Sequence, residues 1–264
     1  MIKLKKSLGQ NFLKDKNIIN KIINLDSIQG KNIFEIGPGD GSLTHVIIKK
    51  EPKHLLIVEK DQRLTESLNK ALLHNKKIKI FNADILKFDI EKEISNNSVI
   101  FGNLPYNIST QILVKLIKFK NWPPKFNKLI LMFQKEVADK ILAKVNTKNY
   151  GRLAVITNWR LKVINHFDIS RKCFFPVPKV DSTILIFEPV RTSTINIKDP
   201  SNLEKITHIF FSTKRKMVNK AFSKLFKDYI PVSQKLNIDL SMRPSQIKEK
   251  DYYKIVECFE KLNK

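Results

Sequence analysis

Asn32-Ile33-Phe34-Glu35-Ile36-Gly37-Pro38-Gly39-Asp40-Gly41-Ser42-Leu43-Thr44 is the stretch on which the fold of this 264-residue chain turns. Asn32 to Ile36 is a short apolar run of strand character, glycines 37, 39 and 41 open a loop, and a helical stretch runs from Leu43 to Lys49. Glycine lets a backbone take positive φ and approach a ligand, and the helix start points N–H groups and a positive dipole end at it. The next apolar run, His54-Leu55-Leu56-Ile57-Val58, ends at Glu59, twenty residues past Gly39. A carboxylate placed there accepts hydrogen bonds from both hydroxyls of a ribose, so a nucleoside-containing cofactor is implied.

The loop reads G-x-G-x-G behind the acidic Glu35, a poor match to the G-x-G-x-x-G that cradles a pyrophosphate. Its spacing instead resembles that of the S-adenosylmethionine-dependent methyltransferases. That resemblance implies a Rossmann-like α/β sheet with helices on both faces, the methionine moiety over the loop and the ribose on Glu59. Lys77 to Phe81 alternates as a third strand and leads to Asp84, whose carboxylate suits an adenine amino group. Ser98-Val99-Ile100-Phe101 predicts a fourth, which opens into Gly102-Asn103-Leu104-Pro105-Tyr106. An amide, a rigid turn and an aromatic face thus stand at a strand's carboxyl end, where open α/β sheets bind ligands. They suit a planar ring bearing an amino group; for the tetrapeptide alone, a packed turn is the alternative.

Farther along, Ile18 to Leu25 has helical spacing up to Gly30, and Leu129 to Phe133 predicts a buried fifth strand followed by a helix from Gln134 to Ala143. Tyr150 to Val155 leads into apolar residues that read as helix or strand, and Lys162 to Ile164 and Asp181 to Phe187 read as the last strands. Between these, Cys173-Phe174-Phe175-Pro176-Val177-Pro178 is too interrupted by proline for a central strand, so either Phe174 or Phe175 is available to stack on a base or to plug the core.

Lys and Arg number 49 against 25 Asp and Glu, a net charge of +24, and such an excess favours a polyanion such as nucleic acid. Cys173 and Cys258 stand alone and the five His are scattered, so neither a zinc site nor a disulfide framework is indicated. No membrane-length apolar stretch and no signal h-region are present, which predicts a cytoplasmic protein. Domain boundaries are expected at 1–190 for the α/β part, with its basic N-terminal segment, and 191–264 for a small all-α part carrying 16 basic and 8 acidic residues. Helical groups fall at Leu203 to Phe211, Met217 to Phe226 and Tyr252 to Leu262, and the basic triplet Lys214-Arg215-Lys216 reads as a backbone clamp for RNA.

Taken together, Leu8-Gly9-Gln10-Asn11-Phe12-Leu13, Glu35-Ile36-Gly37-Pro38-Gly39, Asn103-Leu104-Pro105-Tyr106-Asn107-Ile108-Ser109, Gly151-Arg152-Leu153 and Phe175-Pro176-Val177-Pro178-Lys179-Val180-Asp181-Ser182 resemble the motifs of the ribosomal RNA adenine dimethyltransferases, in family order. The resemblance implies dimethylation of two adjacent adenosines near the 3′ end of small-subunit ribosomal RNA, with S-adenosylmethionine as cofactor and an assembling 30S-type particle as partner of a monomeric enzyme. It implies Asn11, Leu13, Gly37, Glu59 and Asp84 as cofactor contacts, Asn103 as a contact of cofactor and target, and Arg243 as an RNA contact. Displacement by the adenine N6 is expected, with Asn103 and the Leu104 carbonyl as its acceptors and Tyr106 with Phe174 or Phe175 as stacking faces. Two rivals are a large-subunit adenine methyltransferase of the macrolide-resistance type and a non-catalytic assembly or nucleic-acid-binding factor.

Overall fold

The fold is that of a computed structural model in which residues 10–192 and 195–263 are described. Leu8 and Gly9 of the first motif lie outside the described residues. In chain order the elements are β1 (Phe12–Leu13), α1 (Lys16–Ile23), β2 (Asn32–Ile36), α2 (Thr44–Lys49), β3 (His54–Glu59), α3 (Gln62–Leu72), β4 (Ile78–Asn82), α4 (Ile90–Glu93), β5 (Ser98–Asn103), α5 (Ser109–Ile117), β6 (Phe126–Gln134) and α6 (Lys135–Leu142). They continue with α7 (Arg152–Arg160), β7 (Leu161–Ile169), β8 (Phe174–Phe175), β9 (Ser182–Pro189), α8 (Pro200–Phe211), α9 (Asn219–Leu225), α10 (Tyr229–Leu236) and α11 (Glu249–Leu262).

Strands β2 and β5 are buried almost end to end, as continuous apolar runs are when both faces of a parallel sheet are covered. They lie side by side at the centre of a seven-stranded sheet of order β4-β3-β2-β5-β6-β9-β7. From β2 the chain winds outward through β3 and β4, and from β5 it winds the other way through β6, all these pairs being parallel. The order therefore reverses between β2 and β5, and the crevice at the carboxyl ends of two such strands is where open α/β sheets take ligands. Strand β9 pairs antiparallel with β6, Gln134 opposite Ser182, so its first residue also arrives at that edge.

Two compact units emerge, Met1–Ala138 with Val163–Pro189, and Asp139–Lys162 with Val190–Lys264. The last crossing between the units falls at Pro189/Val190, beside the expected 190/191, and Asp139–Lys162 groups with the C-terminal helices. The reason is aromatic packing inside the second unit. Tyr150 is fully buried, donates to the Ile247 carbonyl at 3.0 Å and stacks edge-on with Phe211, while the Tyr253 hydroxyl donates to the Val155 carbonyl at 2.9 Å. The 150–155 segment falls in loop and helix, not strand. Helix α1 stops at Ile23 rather than running to Gly30, and α10 lies in a stretch where no helix was expected.

Candidate active site

One open cleft in the first unit, with a volume of about 150 Å³, is lined by Asn11, Leu13, Glu35, Gly37, Gly39, Glu59, Asp84 and the whole Asn103-Leu104-Pro105-Tyr106 loop. These residues are scattered over the first 106 positions, and the parallel register brings them together. Ile36 lies opposite Val58 on β3 and Gly102 on β5, so Gly37, Glu59 and Asn103 leave neighbouring strands at one edge.

Gly37 and Gly39 both take positive φ, 63° and 61°. A Cβ on Gly39 would stand 2.8 Å from the Phe12 ring, whereas one on Gly37 would meet nothing within 4 Å. Gly39 is thus required by the N-terminal segment folded over the loop, and Gly37 leaves open space for a ligand to approach backbone. Glu59 closes the same loop, accepting from the Gly39 N–H at 3.2 Å and from the Asp61 N–H at 2.8 Å. Burial raises its pKa, opposed by those backbone donors.

Glu35 is 1% exposed; one oxygen accepts from the Thr44 hydroxyl at 2.7 Å and Oε1 has no hydrogen-bond partner. Burial pushes its pKa up to about 7, against the Thr44 hydrogen bond, with the Glu59 charge adding to the rise. A carboxyl raised in this way binds more protons folded than unfolded between pH 4.5 and 7, so its contribution to stability declines as pH climbs through that window. The loss amounts to about 3 kcal/mol at full ionisation. Denaturant titrations of the ligand-free protein at pH 5 and pH 8 should therefore show a smaller difference for Glu35→Gln than for the wild type. An equal difference would mean that Glu35 carries no strained charge.

Asp84 is held by Lys60, whose ammonium donates at 2.8 Å, and by the Leu86 N–H at 3.0 Å. The Lys60 hydrogen bond chiefly lowers its pKa, so it stays an ionised acceptor. On the other wall, the Asn103 Nδ2 donates to the Asn11 carbonyl at 3.1 Å, which assigns the orientation of the amide and leaves Oδ1 as its acceptor end. Tyr106 is half-buried.

The aromatic alternatives separate. Phe174 is 3% exposed within the core cluster and pairs with Leu13 between β8 and β1, whereas Phe175 is 57% exposed. Phe174 is therefore core and is corrected as a stacking candidate. Leu13 has a double position, lining the cleft while only 1% exposed.

In the second unit, Lys214 spends two of its three donors internally, on the Lys148 carbonyl at 2.7 Å and the Tyr150 carbonyl at 2.6 Å. Arg215, Lys216 and Arg243 are exposed. For two residues of the cleft region the sequence assigned no role, although Ser182 stands in the Phe175–Ser182 motif. Asp61 caps α3, pairs with Arg63 and accepts from Gln10 at 3.1 Å, tying the N-terminal segment to the loop after β3; an Asp two residues past a strand-ending Glu was the available signal. Ser182, the other, had no local signal of its role. Among the described residues no group of three His, Cys, Asp or Glu is gathered as for a metal ion, and no helix is long and apolar enough to cross a membrane.

Residues 1–261 match the ribosomal RNA adenine dimethylase family. The chain is 47% identical over 262 residues to the ribosomal RNA small subunit methyltransferase A of Pelagibacter ubique, covering 99% of this chain and 98% of that one. It is 40% identical over 266 residues to the protein of the same name from Malacoplasma penetrans, covering 97% and 91%. Among solved structures, a dimethyladenosine transferase from Plasmodium falciparum superposes with a TM-score of 0.80 at 26% identity, covering 96% of this chain and 98% of that one. The 23S rRNA methyltransferase ErmE superposes at 0.64 and 22% identity, covering 96% and 100%, a likeness of fold. With an acid at each strand end and an oriented amide in one cleft, and with this match over nearly its whole length, the chain belongs to the ribosomal RNA adenine dimethylase family.

Proposed function

We propose that the chain, an S-adenosylmethionine-dependent adenine dimethyltransferase by family and fold, methylates two adjacent adenosines near the 3′ end of small-subunit ribosomal RNA, as a cytoplasmic monomer acting on an assembling small-subunit particle. The observation that carries this reading is the Asn103 amide, fixed through Nδ2 at the head of a cleft whose other wall holds Glu35, Glu59 and Asp84.

The cleft fits the cofactor. The buried, unpartnered Glu35 Oε1 suits a ligand carrying positive charge, the open approach at Gly37 suits its methionine part, Glu59 suits a ribose and the ionised Asp84 an adenine amino group. When bound, S-adenosylmethionine supplies an electrophilic methyl on a sulfonium. The protein's part is to make the target nitrogen a better nucleophile. Adenine N6 is poor because its lone pair is delocalised into the ring. Asn103 Oδ1 and the Leu104 carbonyl each accept one N6–H hydrogen bond, which favours a pyramidal nitrogen and aims its lone pair. The same pre-arranged acceptors stabilise the positive charge building on nitrogen, and the methylated nitrogen then sheds its proton to solvent through the open cleft, so no separate general base is needed. Tyr106 and the exposed Phe175 offer faces that offset the few kcal/mol of unstacking the target base.

Relatives at 47% and 40% identity bear a small-subunit name, against 22% for the 23S rRNA methyltransferase, which favours the small-subunit target. Incubating unmodified small-subunit and large-subunit particles in parallel with methyl-labelled cofactor and mapping the products by mass is expected to place methyls on two neighbouring adenosines of the small-subunit RNA. Labelling of large-subunit RNA alone, or of neither, would overturn the assignment.

For RNA docking, the exposed Arg215 and Lys216 are the working members of the basic triplet. Arg215→Glu with Lys216→Glu is expected to weaken particle binding and to reduce the slope of log affinity against log salt by about 1 per lost phosphate contact. An unchanged slope would make them bystander surface. Lys214→Glu should instead lower the melting temperature, because it strips the Lys148 and Tyr150 carbonyls of their donor.

A further inference from the structure

We infer that Ser182 is a positioning residue for methyl transfer, holding the Tyr106 ring at the place where it receives the target adenine; the inference rests on the function proposed above. Ser182 is fully buried and its hydroxyl lies 2.7 Å from that of Tyr106. The two are 76 residues apart in sequence. They meet because β9 runs antiparallel to β6, which brings the first residue of β9 to the edge where β5 ends and the Asn103–Tyr106 loop begins.

The geometry suits a mount for a ring. A tyrosine has two side-chain torsions, and a hydrogen bond at the hydroxyl, the atom farthest from Cα, restrains the first, which sets where the ring lies; the second only turns the ring about the axis that carries the hydroxyl. The ring lines the cleft beside Asn103 while its hydroxyl is turned into a buried pairing. Burial raises the hydroxyl's pKa, partly offset by Ser182, so the ring stays neutral while a base docks on it. A ring free to swing must be ordered each time the base arrives, and that cost falls on the step in which the base is aligned.

Asp181, the preceding residue, does the same service for the neighbouring aromatic. Its carboxylate accepts from the Arg171 N–H at 2.8 Å and its carbonyl from the Lys135 N–H at 3.0 Å, while the Arg171 guanidinium donates to the Lys179 carbonyl at 3.1 Å. These bonds pin the base of the loop that carries the exposed Phe175. One dipeptide at the head of β9 thereby sets both Tyr106 and the Phe175 loop.

The test is a double-mutant cycle on the full-length enzyme with unmodified small-subunit particles, using Ser182→Ala, Tyr106→Phe and the double variant. Each single change is expected to lower kcat by about tenfold, the value of one net hydrogen bond, with cofactor Kd by calorimetry unchanged. The double variant should be no slower than the slower single, because both remove one bond. Independent losses that multiply to about a hundredfold, a wild-type rate for Ser182→Ala, or an effect confined to melting temperature and cofactor affinity would each overturn the inference. Tyr106→Phe reaches the same bond from the half-buried side, so the inference stays testable if Ser182→Ala folds poorly. A wild-type rate for Tyr106→Ala would instead overturn the reading of Tyr106 as the base platform.

Discussion

Methyl transfer by Asn103→Ala is expected to fall by about 10²- to 10³-fold, the usual cost of removing one pre-arranged hydrogen-bonding group from a reacting centre. Cofactor affinity should change little, because the other wall of the cleft, with Glu35, Glu59 and Asp84, is untouched. The size of the effect follows from what Asn103 does twice over. In the function proposed here its Oδ1 accepts from N6, and its Nδ2 is tied to the Asn11 carbonyl, which holds the amide in that orientation. Alanine removes the acceptor and also frees the N-terminal segment at Asn11. Single-turnover labelling of small-subunit particles at saturating cofactor measures the first effect cleanly. Full turnover by the variant would sink the role given to Asn103.

Glu59→Ala should show the converse pattern, with cofactor Kd rising by roughly 10²-fold, as expected for losing two hydrogen bonds to a charged group, and kcat at saturating cofactor staying near the wild-type value. Beside the ribose contact proposed for it, Glu59 has a structural part. It accepts from the Gly39 and Asp61 N–H groups, so its loss also loosens the loop it closes. Glu59→Gln separates the two contributions, since its single carbonyl oxygen can still take one backbone donor but not the full set. Calorimetric titration with the cofactor is the measurement. An unchanged Kd for Glu59→Ala would show that the ribose is held elsewhere.

The residues that were legible from sequence share one property: each stands where an apolar run stops. Glu59 and Asn103 end strands whose burial dictates the run, Asp84 follows the alternating edge strand β4, and in a parallel sheet every such end falls on the same edge. Gly37 and Gly39 were legible because positive φ is a local demand of the chain. The Phe174-Phe175 pair shows the opposite case. Adjacent residues of a strand point to opposite faces, so one ring had to be buried and the other exposed, but which one depends on where β1 pairs with β8. Lys214 looked like its neighbours in a basic triplet until the carbonyls of Lys148 and Tyr150 were found beneath it.

By itself, then, the amino-acid sequence determined the α/β class, the strand-loop-helix cradle, the carboxylates at strand ends and the Asn103–Tyr106 loop, though not the orientation of its amide, because these depend on local backbone freedom and on hydrophobic period. The tertiary structure alone decided the placing of Asp139–Lys162 with the C-terminal helices, the burial of Phe174, the internal use of Lys214 and the mounting of Tyr106 on Ser182. Each of these is a contact between residues far apart in the chain, and no local preference encodes which distant partner a side chain will meet.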